Sequence, residues 1–191
     1  MKTLAKVLIL PLLCLLAFGC RQQEPDPLQE ALGAYILQGR EGSFQLYRIE
    51  KIDSTTFRTE FEHREHVFQR KMEEESVLYG SYTMQRMPKN AARHLEAIQR
   101  TEVIMKGLDS LRTAMEGRMD EIAYYDYIFS GQSVIGDEII NYQDAYASMT
   151  PALEVIALTS DRRDLHKSGG RAIPGYLQML GRDSEEENIT E

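Results

Sequence analysis

Cysteine is nearly missing from this chain of 191 residues, occurring only at Cys14 and Cys20. Beyond residue 20 no disulfide can form, so the rest must stand on its own core. About 170 residues are enough for one domain that buries about 70% of its unfolded surface. Positive charge is also in deficit: 22 Lys and Arg face 30 Asp and Glu, for a net charge of −8. Such acidity argues against nucleic acid, whose recognition needs a basic face. The apolar run from Val7 to Leu16 is interrupted by Pro11 and falls short of the about 20 residues that span a bilayer as a helix.

Recognisable catalytic patterns are lacking as well. No repeat of solenoid length occurs, and no serine sits in a glycine-flanked nucleophile turn. Ser168-Gly169-Gly170-Arg171 has neither the lysine nor the spacing of a phosphate-cradling loop and reads as a plain helix stop. Glu60, His63 and His66 follow one another at three-residue steps, which on a helix would put them on one side. Paired carboxylate and imidazole ligands in helical bundles need a second Glu-x-x-His on a facing helix. Neither His94 nor His166 has a glutamate three residues before it. These three residues are therefore expected to form a solvated charged helix face, with no metal and no cofactor.

What the chain does have begins at its N-terminus. Lys2 and Lys6 precede the short apolar run, and Ala17-Phe18-Gly19 leads into Cys20, the layout of an export signal. Ala17-Phe18-Gly19-Cys20 resembles the lipobox of bacterial lipoproteins, although Ala17 stands where leucine is usual and Phe18 is bulky for its position. The resemblance covers the N-terminus alone. It implies a signal peptide over residues 1–19, acylation of Cys20, and attachment to a membrane of the cell envelope. Two or more acyl chains hold a protein there stably. By the sorting rule that comes with the resemblance, Arg21 after the cysteine, in place of Asp, favours the outer membrane over the inner. Removal of Lys2 and Lys6 would take the net charge to about −10, so lipid is expected to be the sole membrane contact.

Residues 20–27 read as a tether: the stretch from Arg21 to Pro27 is polar, contains two prolines and shows no apolar period. A single domain over residues 28–181 should follow, with an acidic, disordered tail over residues 182–191. Leu28, Ala31, Leu32, Tyr35 and Ile36 have helical spacing. Phe44 to Ile52 suits strand and helix alike, with a slight preference for strand from its β-formers. From Asp53 or Ser54, either a good N-cap, a helix of about 25 residues is expected. Phe57, Phe61, Phe68, Met72 and Tyr79 would form its seam. Pro88 opens a second helix carrying Ala91, Leu95, Ile98, Met105, Leu108, Leu111 and Met115. Two such helices joined by a short break are expected to fold back on each other, and Gly107 weakens the second by up to about 1 kcal/mol.

After Gly117, three segments rich in aromatic and β-branched residues (Ala123 to Ser130, Ile139 to Met149, Glu154 to Thr159) suggest an antiparallel meander, with turns at Gly131 to Asp137 and Thr150 to Ala152. A short helix capped by Ser160-Asp161 would run to Lys167, and Ser168-Gly169-Gly170 would then release the chain. The expected fold is thus α+β, a long antiparallel helical hairpin packed on a small antiparallel sheet. Without a convergent polar constellation, the expected role is that of a noncatalytic accessory or interaction subunit with an envelope protein partner. The alternative is a small-ligand or glycan-binding lipoprotein using a tyrosine-rich sheet face. Strand neighbours point to opposite sides, so Tyr125 and Tyr127 would share the face offered for burial or recognition, and burial is expected there.

Overall fold

The computed structural model describes residues 26–181, and the expected signal peptide, Cys20 and the expected tail lie outside them. The domain is α+β, with one four-stranded antiparallel sheet in the order β1-β2-β3-β4 and helices on both of its faces. Asp26 caps helix α1 (Pro27–Leu37) by accepting the Leu28 N–H at 3.0 Å, with Pro27 at the first helical position. Strand β1 (Gly42–Thr56) follows, then helices α2 (Phe57–Met84) and α3 (Pro88–Ala114). Strands β2 (Ile122–Ile135), β3 (Glu138–Met149) and β4 (Val155–Thr159) complete the sheet. Two 3₁₀ turns, Arg162–Lys167 and Gly169–Ala172, and the short helix α4 (Tyr176–Met179) close the domain.

Several boundaries differ from expectation. The ambiguous segment is a strand and extends to Thr56, because Asp53 and Ser54 stay in the ladder opposite Asp126 and Tyr125. The cap of α2 is therefore Thr56, whose Oγ1 accepts the Thr59 N–H at 3.3 Å. Gly131 is no turn residue. It lies in β2 opposite Tyr142, and a Cβ there would stand 2.7 Å from the Gln45 carbonyl oxygen. The reversal falls instead at Gly136-Asp137, where Gly136 has a φ of 59°, the conformation a two-residue hairpin loop requires. Gly169 and Gly170 start a second 3₁₀ turn and do not release the chain.

The sheet divides the core in two. Tyr124, Ile156 and Ala123 pack with Phe57, Phe61, Leu108, Met115 and the C-terminal Ile173 and Tyr176. Their strand neighbours Tyr127, Phe129, Ala147 and Met149 pack with Leu32 and Ile36 of α1. Period-two alternation along β2 puts Tyr127 and Phe129 on the α1 side, opposite Tyr124.

Helices α2 and α3 pair in antiparallel order: Arg112 meets Glu65 at 3.1 Å, Glu75 meets His94 at 2.6 Å, and Tyr82 stacks on His94 with ring centroids 5.2 Å apart. The buried residues of α2 are Phe57, Glu60, Phe61 and Arg64, all at its start, and those of α3 are Ala91, Thr101 and Leu108. A helix of 28 residues is about 42 Å long. Only its first three turns, to Phe68, share in the sheet-bound core. The remainder rests on α3 alone.

Candidate interaction surface and a sealed ionic centre

Where α2 enters the core, its buried stripe contains an ion pair. Phe57, Glu60, Phe61 and Arg64 follow at steps of three, one and three, which keeps them on one arc of the helix. The Arg64 Nε donates to Glu60 Oε1 at 2.5 Å, and the Tyr124 hydroxyl donates to Glu60 Oε2 at 2.8 Å. The rest of the guanidinium donates to the backbone carbonyls of Lys167, at 3.1 Å, and of His166. Gly169 lies over the centre: a Cβ there would stand 2.7 Å from one Glu60 carboxylate oxygen and 2.8 Å from the Tyr124 hydroxyl. Two residues after Tyr124, buried Asp126 accepts from Ser148 Oγ at 2.5 Å.

Burial sets the electrostatics of this centre. Loss of solvation pushes the Glu60 carboxyl above its ordinary value, with the Arg64 charge and the hydrogen bonds from Tyr124 and Arg64 opposing. Loss of solvation likewise raises Asp126 against the Ser148 bond, and raises Tyr124, with the Glu60 charge adding to the effect. Glu60 is 1% exposed and Tyr124 is fully buried. Among the described residues no buried side-chain nitrogen or oxygen lacks a partner. A reacting molecule could reach Glu60 only by displacing the turn at Gly169. As it stands, the centre ties the C-terminal turns to α2 and β2.

This arrangement corrects the expectation of a solvated face at Glu60, His63 and His66. Glu60 is buried, because the 3₁₀ turns cover the start of α2, while His63 and His66 are exposed. His63 faces His166 with ring centroids 6.0 Å apart, and partial desolvation together with the nearby Arg64 charge lowers its pKa. Among the described residues no three His, Cys, Asp or Glu side chains converge as a metal site. Buried polar groups do meet here, Glu60 with Arg64 and Tyr124 in one hydrogen-bonded set and Asp126 with Ser148 in another. The sequence signal for the first set was the Glu60/Arg64 pair four residues apart, interleaved with Phe57 and Phe61.

Tyr125 and Tyr127 are half-buried, while Tyr124 and Asp126 on the opposite side of β2 are buried. The burial expected at Tyr125 and Tyr127 is partial, with Tyr127 packed against the core beneath α1. Asp126 can face inward because Ser148 satisfies it, and Tyr124 because Glu60 does. Tyr125 and Tyr127 meet edge to face at 6.4 Å, and the Lys51 ammonium lies 4.5 Å from the Tyr125 ring centre, a cation–π contact.

The far end of the helical pair has a different character. Met84 is 81% and Val77 72% exposed, and Leu78, Met87 and Leu95 are also exposed. At the connection, Arg86 turns the chain with a φ of 57°. A groove of about 480 Å³ opens here, bordered by Tyr79, Thr83, Arg86, Met87, Ala91 and Leu95. Residues 76–95 contain Arg86, Lys89 and Arg93 but no Asp or Glu. Among the described residues no helix is long and apolar enough to cross a membrane. Comparison with protein-family models, curated proteins and solved structures finds no match for the chain.

Proposed function

We propose that this chain is a bacterial envelope lipoprotein, anchored through acyl chains on Cys20, that acts as a noncatalytic accessory or interaction subunit. Its contact element is the long helical hairpin, which packs on the sheet by its base and extends its far end away from the core. The observation that carries the reading is the exposure of Val77, Leu78, Met84 and Met87 together at that end. Isolated exposed apolar side chains are ordinary, whereas four within the eleven residues 77–87 concentrate apolar surface at one end of the helical pair. The sealed state of the Glu60 centre agrees with this role, since both oxygens of its carboxylate are occupied by structural partners.

Two measurements on the full chain test the proposal. Metabolic labelling with a palmitate analogue should mark the wild-type protein and fail in Cys20→Ser, and an unlabelled wild type would remove the anchor. Methionine oxidation, read by mass spectrometry, should proceed several-fold more slowly at Met84 and Met87 in intact envelopes than in the purified protein, with half-buried Met72 as the internal reference. Equal rates in both settings would mean that nothing covers the hairpin end and would overturn the interaction role.

A further inference from the structure

We propose that the end of the helical pair docks on an anionic phospholipid surface, giving the protein a second membrane contact besides its acyl chains. The inference rests on the reading of the hairpin as contact element and names what it touches. Charge is the first argument. The chain as a whole is acidic, at −8, yet the 20 residues of segment 76–95 hold three cations and no carboxylate. Net charge averages over the whole surface, whereas a bilayer meets only the part that approaches it. Arg86, Lys89 and Arg93 are exposed and take no part in the ion pairs of the described residues.

Shape is the second argument. At about 100° per residue, Val77 lies nine positions beyond the seam residue Phe68 and so points about 180° away from it. Met84, seven positions after Val77, shares that outer stripe. Met87 sits at the connection, and Leu95 borders the groove on α3. The apolar side chains thus surround the end of the rod and do not form one flat face. A fluid bilayer can envelop such a convex end, with apolar side chains at the acyl boundary and cations at the phosphates. A symmetric contact between two copies through this end would instead bring like cations together, which is unfavourable.

The chain contains no tryptophan, so Met84→Trp supplies a single reporter at a largely exposed site. The full chain carrying it is reconstituted into vesicles of phosphatidylcholine alone and of phosphatidylcholine with an equal part of phosphatidylglycerol. Emission should shift to the blue and be quenched by brominated acyl chains in the mixed vesicles only, and should revert in high salt. Ile139→Trp, at the end of the sheet remote from α2, should remain solvent-like. Replacing Arg86, Lys89 and Arg93 together by Gln should abolish the shift, three cations being worth roughly a 100-fold change in partitioning. Equal emission in both vesicle types would overturn the proposal. So would a shift that grows with protein concentration without vesicles, which would assign this end to a second copy. If Met84 and Met87 are protected in envelopes while the vesicles give no shift, the interaction role stands with a protein as partner and the lipid assignment falls.

Discussion

Replacing Arg64 by Met removes the one positive charge in direct contact with the buried Glu60 carboxylate. The Met side chain replaces the aliphatic stem and ends where the guanidinium begins, so the charge and its hydrogen bonds are lost while most of the packing along the stem is kept. Glu60 keeps only the Tyr124 hydroxyl, and the carbonyls of His166 and Lys167 lose their donor. Breaking a buried ion pair from one side costs about 3–5 kcal/mol, because the remaining charge stays desolvated. In a domain of this size that lowers the melting temperature by roughly 6–20 °C. The cost must also depend on pH with a definite sign. Glu60 already has a folded pKa raised by burial, so the folded state binds its proton more tightly than the unfolded state. The stability linked to that proton is complete below the unfolded value of 4.5 and is lost as pH rises through the folded pKa. Without Arg64 the folded pKa climbs further, and more is lost at neutral pH. Denaturant titrations of wild type and Arg64→Met across the range from pH 4.5 to 8 should therefore show a difference that is largest at the alkaline end and shrinks on acidification. Glu60→Gln in the Arg64→Met background should recover part of the loss and flatten the pH dependence. A cost below about 1 kcal/mol at neutral pH, or one independent of pH, would refute the assignment of this pair as the tie between α2 and the C-terminal turns.

Two glycines in the helical pair should respond in opposite directions. A Cβ at Gly80 meets nothing within 4 Å, so Gly80→Ala should stabilise by about 0.5–1 kcal/mol through helix propensity alone. A Cβ at Gly107 would stand 2.6 Å from Met179 Cγ, so Gly107→Ala should displace α4 and cost about 1–3 kcal/mol. Thermal melts of both variants check this, and a stabilised Gly107→Ala would show that α4 does not need the space. Hydrogen exchange should be fastest in α2 beyond Met72 and in α3 before Ile98, where only the partner helix supplies packing. Protection there equal to that of β2 would contradict the picture of a base-anchored pair.

Local periodicity and punctuation carried much of the α+β outline. Pro88 at the first position of α3, the steps of four and seven from Phe57 to Tyr79, and the alternation in β2 are patterns within one element. Each follows from the 3.6- or 2-residue period that the backbone imposes. Gly107 shows where this kind of information stops. Propensity marks it as a weakness, yet its neighbour across space is Met179, 72 residues further on, and no local pattern contains that contact. The length of β1 was undecidable for the same reason. Asp53 and Ser54 are good caps in isolation, but the ladder with Asp126 and Tyr125 holds them in the strand.

The two surfaces of functional interest divide along the same line. The cationic, acid-free character of residues 76–95 is a property of sequence alone, but its place at the free end of a helical pair depends on how far the core reaches along α2. The direction of Glu60 was decided wholly by tertiary structure. A glutamate among Arg, Glu and His residues reads as solvated, because charge normally seeks water. Here the turns at Arg162–Lys167 and Gly169–Ala172 cover it, while Arg64 and Tyr124 supply the partners that make burial tolerable. Sequence determines which groups are available to satisfy a buried charge. Only the packing of distant segments decides whether that charge is buried, because desolvation is set by everything that surrounds a group in space.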